Sequence, residues 1–117
     1  MIDQRAKDLG RLIGQSDEYK ALKRANDALG EDATAVAALR RMETLRADAQ
    51  RLLSRGQEPS AEMEQELDDL LGKVQVTPSY QRVAAAQENF DKLMYQVNAW
   101  ISEGIKAGAA SPIITLA

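Results

Sequence analysis

Apolar positions recur at helical spacing along most of the chain, and they divide it into five segments. Ile2, Ala6, Leu9 and Ile13 are four, three and four residues apart, the pattern of one helix face. This predicts a first helix over Asp3–Ile13, with Gly14 as its stop. Ser16 is a good N-cap, and Asp17 and Glu18 in the first turn complement the helix dipole. The second helix that follows carries Tyr19, Leu22, Ala25 or Asn26, and Leu29 on its apolar face and ends at Gly30.

Asp32 caps a third helix over Ala33–Ser54. Its stripe is Val36, Leu39, Met42, Leu45, Ala49, Leu52 and Leu53. Gly56 is placed as a C′ residue, with Pro59 soon after. Ser60 caps a fourth helix, Ala61–Gln75, with Met63, Leu67, Leu70 or Leu71, and Val74 facing inward. The short connection makes helices three and four an antiparallel hairpin. Thr77 caps the fifth helix and Pro78 takes its first position, where the missing N–H costs nothing.

The fifth helix has no break from Pro78 to about Lys106. Val83, Phe90 and Val97 form one heptad column; Ala86, Leu93 and Trp100 form a second; Gln87, Met94 and Ile101 form a third. At 1.5 Å per residue it spans ~44 Å. A compact globule of this length would be only ~34 Å across, for a radius of gyration near ~13 Å. The expected fold is therefore all-α: an elongated helical bundle with a long helical hairpin and a long C-terminal helix, its core completed by dimerisation. Val83, Phe90, Leu93, Met94, Val97, Trp100 and Ile101 are the expected oligomer interface. A single domain is expected over 1–107. Residues 108–117 (GAASPIITLA) are expected as a flexible apolar tail after a stop at Gly108 and Pro112.

Composition narrows the chemistry more than the fold. The 117 residues include no Cys and no His. That removes disulfides, thiolate and imidazole metal sites, and the usual general base near neutral pH. The i,i+4 carboxylates Glu62/Glu66 and Glu64/Asp68 lack the Glu-x-x-His companions of a di-iron bundle and read as a solvated face. Neither a catalytic site, a cofactor site nor a metal site is expected. No apolar run approaches a membrane span. The opening MIDQRAKDLG lacks the apolar core of a secretory signal, so a cytoplasmic location is expected.

Charge adds one contrast. With 15 basic and 18 acidic residues the net charge is −3, which argues against general nucleic-acid binding. Locally, Arg40, Arg41, Arg46, Arg51 and Arg55 meet only Glu43 and Asp48, so that segment is +3. Glu58, Glu62, Glu64, Glu66, Asp68 and Asp69 follow without a base, giving −6. Two readings stay open. Either the basic helix is neutralised by the acidic one, or the arginines present a face to a partner protein or to RNA. Interleaved aromatics, which base stacking uses, are absent from the Arg segment.

The order of several short motifs resembles a known family. Ala6-x-x-Leu9-x-x-x-Ile13-x-x-Ser16-x-x-Tyr19, then Lys23-x-Ala25 and Leu29-x-x-Asp32, is similar to the N-terminal half of the YlbF/YmcA family of small bacterial helical proteins. Leu67-x-x-Leu70, the Pro78 start and Val97-Asn98-x-x-Ile101 resemble its C-terminal half, so the likeness covers roughly residues 5 to 106. The resemblance implies an all-α fold, self-association through long helices, and a non-enzymatic regulatory role exercised through other proteins. Its members regulate competence, sporulation and biofilm formation, and some act in a complex that modulates the endoribonuclease RNase Y and mRNA processing. Some members hold iron–sulfur clusters through cysteines; a chain without Cys cannot inherit that property.

Overall fold

The computed structural model describes the backbone of residues 1–116 and the side chains of residues 1–110. Five helices follow one another: α1 (Ile2–Gly14), α2 (Asp17–Glu31), α3 (Ala33–Ser54), α4 (Ala61–Gln75) and α5 (Pro78–Leu116). The described residues contain no strand. The chain is drawn out, with a radius of gyration of 21.5 Å and extents of 68 × 37 × 21 Å. A globule of this length would have a radius of gyration near ~13 Å.

Two packed pairs account for most of the tertiary contact: α2 on α5, and α3 on α4. The first is antiparallel. Tyr19, near the start of α2, tilts its ring against Phe90 with centroids 5.7 Å apart. Asp32, just past the end of α2, reaches Ser79 at the start of α5. Between these points Leu22, Ala25 and Ala86 are buried together, with Val83 and Phe90 packed against them. Small residues at Ala25 and Ala86 let the two backbones approach closely. The second pair is the expected hairpin, which buries Ala35, Met42 and Leu45 of α3 and Val74 of α4.

The caps explain why the helices start where they do. Ser16 and Ser60 accept the N–H groups of Tyr19 and Met63 on their hydroxyls, at 3.1 and 3.2 Å. The α3–α4 turn is a Schellman closure: Gln57 N–H donates to Leu52 O and Gly56 N–H to Leu53 O. Gly56 sits at φ 74, where a Cβ would be strained.

Asp32 ties the two pairs together. It terminates α2 and is the N-cap of α3. One carboxylate oxygen accepts Ala35 N–H at 3.1 Å, and the other accepts the Ser79 hydroxyl at 2.7 Å. A single side chain thus joins α2, α3 and α5. The Ser79 hydroxyl and then the Ala35 N–H stabilise the charged form, so the Asp32 carboxyl titrates below its ordinary range.

One boundary differs from the sequence expectation. Gly108 and Pro112 do not stop α5, which continues to Leu116. Gly108 adopts ordinary helical backbone, since Gly56 is the one residue with positive φ among those described. A glycine inside a helix costs only about 1 kcal/mol relative to alanine, and the preceding turns carry that. The expected apolar tail falls on side chains that lie largely outside the described residues.

Because the folded carboxyl of Asp32 titrates below the unfolded one, its stabilisation is present above the unfolded pKa of about 4 and fades as pH falls through the folded value. Asp32→Asn should therefore melt lower than the parent chain at pH 7. The gap should narrow on acidification below about pH 4. Thermal melts followed by circular dichroism at several pH values check this; a gap that does not change with pH contradicts it.

Candidate interaction surfaces

The seven expected interface residues divide into two groups. Val83 and Phe90 pack within the chain against the Leu22–Ala25–Ala86 cluster, and Val97 is buried. Leu93 and Met94 are half-buried. Trp100 and Ile101 are 56% and 44% exposed. The heptad-spaced residues are not equally placed: α2 covers the part from Val83 to Phe90. At 15 residues, α2 is ~22 Å long, whereas the 39 residues of α5 span ~58 Å. Beyond Val97 the stripe continues through Trp100, Ile101 and Ile105 with nothing over it.

A second uncovered surface was not singled out from sequence. Helix α1 carries a clear apolar stripe yet buries none of its side chains. Ile2 and Leu12 are 87% and 65% exposed, and Leu9 and Ile13 are half-buried. The signal was present in the Ile2–Ala6–Leu9–Ile13 spacing, which periodicity alone reads as a core face.

The five arginines are not gathered. Successive helix positions are 100° apart, so 40, 41 and 46 point in different directions. Arg41, Arg51 and Arg55 line a groove of about 400 Å³ on the hairpin, opposite Glu62 and Glu66 and over Leu45, Leu52 and Met63. Arg40 borders a separate depression between α2 and α3. Arg46 lines neither. The ion pair that crosses the hairpin is bidentate: Arg41 Nε and Nη2 donate to the two Glu66 oxygens at 2.7 and 3.2 Å. It lowers the Glu66 carboxyl pKa and raises that of Arg41. Arg51 pairs with Asp48 one turn away on its own helix. Neutralisation of the basic helix by the acidic one thus comes down to one contact. The groove it crosses is of mixed sign rather than a basic track.

Among the described residues no polar or charged side chain is buried, and no group of acidic side chains is arranged to hold a metal ion. No described helix is long and apolar enough to cross a membrane.

The family model for control of the competence regulator ComK, YlbF/YmcA, matches residues 2–106. The chain belongs to this family. The match takes in α1 through the heptad-patterned part of α5, including both uncovered apolar stripes. A search of curated proteins finds no match. The family is a regulatory one, and the all-α, elongated architecture with its long last helix is the one its motifs implied.

The division of the α5 stripe makes a mutational forecast. Phe90→Asp puts a charge into the α2–α5 seam and should abolish the cooperative melt. Trp100→Asp changes a side chain that already meets water, and should keep the helical circular dichroism and a melting transition close to that of the parent. Equal loss of structure in both variants contradicts the division.

Proposed function

We propose that this member of the YlbF/YmcA family is a non-enzymatic adaptor that self-associates and acts by binding other proteins. The observation that carries the reading is the stripe on α5 that outruns its intrachain cover and leaves Trp100, Ile101 and Ile105 in solvent. Exposed tryptophan and isoleucine at helical spacing gain most by burial against another chain, at roughly 25 cal/mol per Å² before association costs. The resemblance noted in the sequence extends the proposal to a cytoplasmic role in RNase Y-dependent mRNA processing. Direct contact with RNA through Arg40, Arg41, Arg46, Arg51 and Arg55 finds less support, because these side chains diverge, Arg41 pairs with Glu66 and Arg51 with Asp48.

Two differently tagged copies expressed in one cell should co-purify, and Trp100→Asp combined with Ile101→Asp should reduce the recovered partner copy. In a strain lacking the gene, the cleavage products of RNase Y substrates should change in abundance. Failure of the copies to co-purify contradicts self-association. Unchanged cleavage products contradict the processing role. A gel shift of single-stranded RNA by the purified chain that weakens steeply with salt would favour the arginine reading instead.

A further inference from the structure

The α2–α5 pair and the α3–α4 hairpin each keep their own buried side chains. Leu22, Ala25 and Ala86 belong to the first, with Val83 and Phe90 packed on them. Ala35, Met42, Leu45 and Val74 belong to the second. The covalent links between the pairs are short. Asp32 alone separates α2 from α3, and Val76 and Thr77 separate α4 from α5. Both links lie where α2 ends and α5 begins, since the Asp32 carboxylate reaches Ser79. The hairpin is therefore attached at its base. Its Gly56 turn lies beyond the other end of α3, whose 22 residues span ~33 Å.

Noncovalent contact between the pairs is sparse. Helix α3 rests on α2, and α4 on α5, only lightly. Between α2 and α3 the surfaces part into a cleft of about 210 Å³, where Leu29, Val36 and Leu39 are only half-buried. The groove farther out is lined by the hairpin's own residues. Among the described residues no ion pair runs from one pair to the other. Side-chain hydrogen bonds from the first turn of α5 cross instead. The Ser79 hydroxyl donates to Asp32 at 2.7 Å, and Gln81 Nε2 donates to the Gln75 carbonyl at 3.2 Å. Between them the Thr77 hydroxyl donates to the Val74 carbonyl at 2.7 Å and steadies the turn.

We infer that this base is a hinge with a catch: the hairpin swings as a rigid arm about Asp32 and Val76–Thr77, and the hydrogen bonds from Ser79 and Gln81 hold it at the observed angle. Hinges are a few element-terminal residues that absorb a change in backbone angle. Units that share little apolar interface move relative to one another unless other contacts pin them. The cleft gives the swing a direction, because closing it buries Leu29, Val36 and Leu39 further. The angle between the hairpin's groove and the exposed end of α5 then depends on hydrogen bonds that a bound partner can compete for. The hinge needs no second copy of the chain.

The chain has no cysteine, so introduced thiols take spin labels at the chosen places alone. Gln57→Cys in the exposed turn of the hairpin and Gln96→Cys on the exposed side of α5 report the angle. Gln57→Cys with Lys73→Cys reports the arm by itself. Double electron–electron resonance is recorded on labelled chain diluted in unlabelled chain, so that the distances are intrachain. The parent should give one sharp distance between positions 57 and 96. Ser79→Ala combined with Gln81→Ala should add a second distance or broaden the distribution by about twofold or more. The pair within the arm should stay sharp, since neither change touches a buried apolar side chain. Ser79→Thr keeps the hydroxyl and should behave as the parent. An unchanged distribution in the double variant overturns the catch, and so does a parent distribution that is already broad. Broadening by Ser79→Thr equal to that by Ser79→Ala contradicts the role of the hydrogen bond. Broadening of the pair within the arm overturns the rigid swing, because the hairpin itself would then be loosening.

Discussion

The antiparallel seam between α2 and α5 is the constraint from which the rest of the molecule follows. It works because Ala25 and Ala86 bring the helices close while Leu22, Val83 and Phe90 fill the space beside them. Its limit is length. The seam stops opposite the start of α2, and α5 carries the same apolar pattern onward for several turns. Elongation, the thin core and the exposed Trp100 all derive from one long helix served by a shorter one.

Asp32 determines how the hairpin is mounted on that seam. Besides it, α3 rests on α2 and α4 on α5 only lightly. With it, the N-terminus of α3, the end of α2 and the start of α5 meet at one carboxylate. The hairpin then projects as an arm whose far end is closed by the Gly56 turn and whose groove combines apolar floor with mixed charge. An arm held at this junction, and by lighter packing of α3 on α2 and α4 on α5, leaves the exposed end of the α5 stripe beside it.

Much of this was legible in the sequence. The helix starts at Ser16, Asp32, Ser60 and Thr77 were legible because capping is local chemistry, written within three or four residues. The Gly56 turn was legible for the same reason. The long apolar stripe of α5 was legible as heptads. Which half of it faces the chain's own α2 was not, because periodicity gives a direction on a helix and never the identity of what lies in that direction. Val83 and Trp100 look alike in that respect; only packing separates them. Helix α1 shows the same limit, as its clear stripe leaves Ile2 exposed and Leu9 and Ile13 only half-buried. The arginines misled differently. A run rich in one charge suggests a face, but positions 40, 41 and 46 point around the helix. The end of α5 lies beyond Gly108 because a glycine inside a helix is only a small cost.

In the proposed self-association, another copy of the chain covers the exposed end of α5. Sedimentation equilibrium over the micromolar range tests it most directly, because it returns mass independent of the elongated shape. Self-association gives twice the chain mass, falling to the single-chain mass when Trp100 and Ile101 are both changed to Asp. A single-chain mass for the unaltered protein across that range would contradict it.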